Sequence, residues 1–176
     1  MENRMRGISG FSLYELMVVI AIIAVLAAIA IPNMIGWREN AKLGEGTRDI
    51  YAAFQLAKSS AAKSNTDVTL TFSPNGALGQ NFALFIDDGQ GTPDTSPADG
   101  VPDGAGDGVV NGTETVLKNG LLPPGVSINA TTFTNHAVTF SGTGIPNGVG
   151  TAAVINSAGD TRSLVLSIAG RVRVQY

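Results

Sequence analysis

The chain has 176 residues, 44% of them hydrophobic and only 14% charged, with a formal net charge of −3. That length fits one globular domain with an appended helix, and the slight negative charge argues against a general nucleic-acid binder while leaving room for a local basic patch. The absence of cysteine excludes a disulfide framework and thiol chemistry, and 22 glycines point to a turn-rich β domain rather than a helical bundle.

Residues 1–10 carry Arg4 and Arg6 ahead of Gly7, Ile8, Ser9 and Gly10. From Leu16 to Ile31 no side chain is polar. Counted from Phe11, the apolar segment has 21 residues and is interrupted by Ser12, Tyr14 and Glu15. A helix needs about 20 mostly apolar residues to cross the ~30 Å hydrocarbon layer, so this one is long enough. Being apolar on every face, it suits surroundings of lipid or of other helices. A secretory signal is cut at a small-residue site after its apolar stretch. Here that stretch runs straight into Pro32-Asn33, so the cut that fits lies before it, between Gly10 and Phe11. The hydrophobic segment would stay on the mature chain, whose net charge becomes −4.

Gly10-Phe11-Ser12-Leu13, Glu15-Leu16-Met17 and the ending Ala30-Ile31-Pro32-Asn33 together resemble the N-terminus of type IV pilins and type II secretion pseudopilins. The one departure is Tyr14, where an aliphatic residue is commoner. The resemblance implies that a membrane-embedded prepilin peptidase cuts after Gly10 and methylates the new amine, giving an N-methylphenylalanine at Phe11. It also implies single-pass residence in the bacterial inner membrane with the globular domain in the periplasm. From there the subunit would pass into a pilus or pseudopilus through an inner-membrane assembly platform.

Glu15 has a physical reading of its own. A carboxylate in the apolar layer costs several kcal/mol, so intramembrane acids tend to be paired and functional. Cleavage creates an amine at Phe11, about one helical turn away, and the family pattern pairs the acid with the amine of a neighbouring subunit. Either pairing is neutral, with attraction and desolvation opposed. The bland alternative is a Glu near the end of the span that snorkels into the headgroups. Assembly is the role expected of Glu15.

Residues 34–64 continue the helix in a different character. Pro32 cannot bond back to Ala28, so a kink or local unwinding is expected there. Gly36, Gly44 and Gly46 each cost about 1 kcal/mol relative to Ala. Leu43, Thr47, Ile50, Phe54, Ala57 and Ala61 step by four and three along one face, widened by Ala53 and Leu56. Ser64-Asn65 ends the helix.

Beyond residue 65 the period falls to two. Val68, Leu70 and Phe72 alternate with Thr69 and Thr71, and Phe82, Leu84 and Ile86 follow the turn-like Ser73-Pro74-Asn75-Gly76. Further strands are predicted at 126–133, 137–141, 151–156, 162–168 and 171–175, bounded by Gly, Pro or Asn. Ala169-Gly170 reads as a hairpin turn. Short strands without intervening helices predict an antiparallel sheet covered by the helix face from Leu43 to Ala61, an α+β fold. A long bent N-terminal helix packed on such a C-terminal domain is also the pilin fold that the resemblance implies.

Residues 87–114 form an irregular acidic stretch. Within it Asp103, Asp107, Asn111 and Glu114 fall at places 1, 5, 9 and 12 of a twelve-residue calcium loop, with Gly108 at place 6. Ala105 stands where a third-place ligand belongs, and Pro102 disfavours a flanking helix. A solvated acidic loop is the preferred reading, with calcium as its alternative and no other cofactor expected.

The chain ends Gly170-Arg171-Val172-Arg173-Val174-Gln175-Tyr176. On a strand, Arg171, Arg173 and Gln175 share one face and Val172, Val174 and Tyr176 the other. The bland reading packs Val and Tyr inward and leaves the arginines in water. The ending is similar to that of GspH/FimT-like minor pilins, which implies DNA contact through Arg171 and Arg173, with Arg162 as a third cation. So few phosphate contacts make binding weak and salt-sensitive. The stretch from Leu56 to Asn65 resembles the same subgroup.

Catalysis finds little support. His136 is the only histidine and has no nucleophile or metal-ligand partner at useful spacing. The carboxylates cluster in a Gly-rich stretch rather than an apolar pocket. The sequence therefore predicts a non-enzymatic structural subunit, a minor pilin or pseudopilin, whose partners are the prepilin peptidase, other pilins, the assembly platform and membrane lipid. Two alternatives stand beside it: a minor pilin that binds DNA for uptake, and a single-span anchored envelope enzyme or binding protein.

Overall fold

The computed structural model describes residues 11–73, 81–87 and 114–176. Helix α1 spans Leu13–Ser64 and crosses two units, one ending at Arg38 and the other running from Glu39 to Tyr176. Its start is fixed locally. Ser12 Oγ accepts from the Glu15 N–H at 3.2 Å, and Glu15 Oε2 accepts from the Ser12 N–H at 3.2 Å. This is a reciprocal capping box. The helix runs without interruption past Pro32, so the local unwinding expected there is not found. Asn65, left-handed at φ 51°, follows its last turn.

In the first unit the helix is bare. Its most apolar eighteen-residue window has a mean hydropathy of 2.7 and none of it is buried.

In the second unit the helix packs on eight strands: β1 Asp67–Phe72, β2 Phe82–Asp87, β3 Thr115–Gly120, β4 Val126–Thr131, β5 Ala137–Phe140, β6 Gly150–Asn156, β7 Thr161–Leu166 and β8 Val172–Gln175. They form two antiparallel four-stranded sheets rather than the single sheet expected, in the orders β3-β2-β1-β5 and β4-β6-β7-β8. The strand β3 was absent from the sequence expectation. β4 and β7 stop two residues short of their predicted ends.

One apolar core holds all of this together. Leu43, Ile50, Ala53, Phe54, Ala57 and Ala61 from α1 meet Val68, Leu70, Phe72, Phe82, Leu84, Val138 and Phe140 of the first sheet. Ile128, Ala152, Val154, Leu164, Leu166 and Val172 of the second sheet complete the same cluster. Phe54 sits centrally, its ring 5.7 Å from Phe72, 6.1 Å from Phe133 and 6.5 Å from Phe140. Thr47 is buried too, and its hydroxyl donates to the Leu43 carbonyl at 2.6 Å.

Three packing expectations need correction. Leu56 does not widen the buried face but is 39% exposed. At 3.6 residues per turn Leu56 falls about 140° round the helix from the middle of that stripe, on the side turned away from the core. The alternation of Val68, Leu70 and Phe72 with Thr69 and Thr71 suits a strand buried on one face, yet Thr69 and Thr71 are buried along with Ala83 and Phe85, so β1 and β2 are covered on both faces. Thr69 and Thr139 answer that burial by sharing a 2.7 Å hydroxyl bond across the β1–β5 pair. Tyr176 is 91% exposed rather than packed inward, because β8 ends at Gln175 and the Arg162 guanidinium lies over its ring at 4.9 Å.

Candidate functional site: helix N-terminus and C-terminal hairpin

Two places carry the residues singled out from the sequence. The first is the start of α1. Gly10 lies outside the described residues, whereas Phe11 is almost fully exposed at the mouth of the helix. Glu15 occupies the first turn, where a negative charge is favoured by the orphan N–H groups and the helix dipole. Its carboxylate also accepts from the Ser12 hydroxyl at 3.3 Å. The capping box therefore holds the acid at the helix entrance beside Phe11. Its signal in the sequence is Ser12-x-x-Glu15, a capping spacing that stands apart from the charge of Glu15.

The second place is the β7–β8 hairpin. Ser167 and Arg171 close the turn: the Ser167 N–H donates to the Arg171 carbonyl at 3.0 Å and the Gly170 N–H to the Ser167 carbonyl at 2.8 Å. Gly170 takes φ 69°, a left-handed conformation that costs glycine little. This confirms the turn expected at Ala169-Gly170. Arg173 then pairs opposite Val165 and Gln175 opposite Ser163. Val172 goes into the core, which sends Arg171 and Arg173 to the exposed face as the alternation predicted.

Beside them stand cations of α1 that lie far away along the chain. Along the edge of β8 runs an open groove of about 730 Å³, walled by Tyr51, Gln55 and Lys58 of α1 and by the hairpin residues, Arg171 and Arg173 among them. Lys58 reaches across to the Gly170 carbonyl at 3.5 Å. An adjoining hollow, which shares Tyr51, is lined by Arg48, Arg162 and Tyr176. The fold thus gathers Arg48 and Lys58 from the helix with Arg162, Arg171 and Arg173 from the sheet around two neighbouring depressions. Such a surface can hold an anion by charge and offers Tyr51 as an aromatic wall.

The remaining candidates are not gathered. Asp103, Asp107 and Asn111 lie outside the described residues, and Glu114 is buried just before β3. Among the described residues no group of three or more His, Cys, Asp or Glu side chains could hold a metal ion. His136 is exposed and its Nδ1 lies 2.9 Å from the Thr131 hydroxyl, an ordinary surface hydrogen bond.

Known proteins agree with this architecture. Residues 46–170 match the family of the type II transport protein GspH, and residues 5–31 match the prokaryotic N-terminal methylation motif. Among curated proteins no relative matches. The type IV minor pilin FimU of Pseudomonas aeruginosa shares the fold with a TM-score of 0.51 at 17% identity, over 80% of this chain and 92% of FimU. The minor pseudopilin EpsH of the type 2 secretion system of Vibrio cholerae does so with a TM-score of 0.50 at 11% identity, over 76% of this chain and 96% of EpsH. A bare apolar helix opening on a methylation motif, joined to a domain that the GspH model covers from its helix to its final hairpin, leaves one assignment: the chain belongs to the family of the type II transport protein GspH.

Proposed function

We propose that the chain is a structural subunit, not a catalyst, that is cut between Gly10 and Phe11, methylated on Phe11 and polymerised through its apolar helix. Glu15 answers the Phe11 amine of a neighbouring subunit. The observation that carries the reading is the contrast along one helix, bare up to Arg38 and buried in a domain core from Leu43 onward. A free-standing soluble protein gains nothing from so much exposed apolar surface, whereas lipid covers it first and sister helices later. Exchanging lipid for protein yields little hydrophobic gain, so close packing and the Glu15 pairing select the register. In this reading the globular domain lies in the periplasm before assembly and on the filament afterwards.

Intact-mass measurement of the protein from the cell envelope tests the proposal. A chain beginning at Phe11 and heavier by one methyl group is expected. A chain still starting at Met1 in cells with an active prepilin peptidase would overturn it.

The groove beside β8 favours a second role for the same subunit: contact with DNA. Lys58, Arg171 and Arg173 line one depression, so a helix lysine joins the two strand arginines in facing phosphates. Replacing Arg171 and Arg173 by Ala should abolish retention of DNA by the assembled filament without loss of assembly. Unchanged retention would leave the structural role alone.

A further inference from the structure

The apolar window of α1 ends near an aromatic residue that the filament reading does not use. Trp37 is 71% exposed, and within its own unit it follows the exposed Met34 and Ile35 and precedes the exposed Arg38. A solvated tryptophan next to a cation at the end of a spanning helix is costly in water and well suited to one environment. In the headgroup layer of a bilayer an indole keeps its ring in an apolar setting and its N–H wet, and an arginine meets lipid phosphate.

The spacing makes the match specific. From Glu15 to Trp37 the helix advances by twenty-two residues, about 33 Å at 1.5 Å per residue. The hydrocarbon layer is ~30 Å thick. When Trp37 rests at one boundary, Glu15 therefore stands at the other, and the Gly10–Phe11 junction lies just beyond it.

We propose that Trp37, with Arg38, is an interfacial anchor whose indole sits in the lipid headgroup layer and sets the depth of the helix before assembly. This rests on the membrane-spanning reading above. Depth control resolves a conflict in the sequence. The Glu15 carboxylate is carried on a membrane helix, yet at this depth it and its capping partner Ser12 stay at the polar border. The scissile peptide is held there too, on the side where the basic leader stays. A helix free to slide by one turn would draw the acid inward or pull the junction away from the surface.

Trp37 is the chain's only tryptophan, so its fluorescence reports its own depth in the unmodified protein. The full chain is reconstituted into phosphatidylcholine vesicles, with and without anionic phosphatidylglycerol. Acyl chains are brominated either close to the headgroup or close to the bilayer centre. Blue-shifted emission is expected, quenched most strongly by the shallow bromines. Emission and acrylamide quenching like those of tryptophan in water, from protein that floats with the vesicles, would overturn the anchor. So would strongest quenching by the deep bromines. Protein that does not float would overturn the membrane reading itself, and the anchor with it.

In a second measurement, prepilin peptidase cleavage of Trp37→Ala should be slower by about threefold and that of Trp37→Tyr close to wild type. Equal rates for all three chains would refute depth control.

Discussion

Glu15 stands in two bonding schemes, and one substitution separates them. In the single chain its carboxylate caps the helix through the Ser12 N–H at 3.2 Å and the Ser12 hydroxyl at 3.3 Å. Exposed capping interactions of this kind are worth about 1 kcal/mol, or roughly fivefold in an equilibrium. In a packed helix core the same carboxylate would face a neighbour's amine, and removing one member of a buried pair costs about 3–5 kcal/mol, on the order of a hundredfold or more. Glutamine satisfies a capping box as glutamate does but carries no charge. Glu15→Gln should therefore keep the helix start and lose the pairing. Ser12→Ala should do the reverse. The assay is the amount of the chain recovered in sheared filaments relative to the amount left in the membrane, in cells carrying the assembly machinery. Incorporation of Glu15→Gln is expected to fall about a hundredfold, and that of Ser12→Ala by no more than about fivefold. Wild-type incorporation of Glu15→Gln would refute the pairing, and equal loss in both variants would assign the function to the cap.

Three further outcomes can be checked separately. If Lys58, Arg171 and Arg173 each meet one phosphate, the affinity for duplex DNA measured by anisotropy should fall about 40-fold between 50 and 200 mM salt, and only about 3- to 4-fold in the Arg171→Ala/Arg173→Ala variant; an unchanged salt slope would exclude the groove. Phe54→Ala removes the ring that meets three others at the centre of the core, and should cost about 3–5 kcal/mol, seen as a fall of about 6–20 °C in the thermal unfolding of the full chain in micelles. Calcium titration of the wild-type chain should give no saturable binding if the acidic residues between β2 and β3 hold no metal; a saturable isotherm lost in Glu114→Gln would replace that reading by a metal site.

The sequence was most legible where a period was long and lay on one face. Leu43, Thr47, Ile50, Phe54, Ala57 and Ala61 were assigned to the core by steps of four and three, and all six are buried. Strand pairs joined by a tight turn were legible for the same local reason, β7 and β8 through Ala169-Gly170 above all. The partition into two sheets was not, because alternation tells which face of a strand is buried and nothing about its neighbours. β3 escaped because Thr115, Val116 and Leu117 are all exposed and only Gly120 is fully buried, so its residues carry no inward period. The basic groove was invisible because Lys58 lies 113 positions before Arg171 in the chain, and only the folding of α1 against β8 brings them to one surface. Arg171 and Arg173 themselves were legible as a pair because two residues on a strand share a face whatever lies opposite.

The glycines of α1 put the two-unit character of the helix to a direct test. Read from propensity alone, Gly36 and Gly46 are equal faults of about 1 kcal/mol each. Their surroundings differ. A Cβ at Gly36 would meet nothing within 4 Å, whereas one at Gly46 would lie 3.1 Å from Val126 Cγ1 and 3.3 Å from Leu122 Cδ2. Val126 and Leu122 are both buried, so neither can swing aside without disturbing the core. Overpacking of this kind costs about 1–3 kcal/mol, which cancels or exceeds the propensity gain. Gly36→Ala should therefore leave the domain's melting temperature unchanged or slightly raised. Gly46→Ala should lower it by a few degrees, on the scale of about 2–4 °C per kcal/mol for chains of this size. Thermal unfolding of both variants in micelles, followed by circular dichroism, decides the matter. If Gly46→Ala proves as stable as Gly36→Ala, the helix does not press on β4 as closely as the structure places it, and glycine at position 46 serves some end other than close approach.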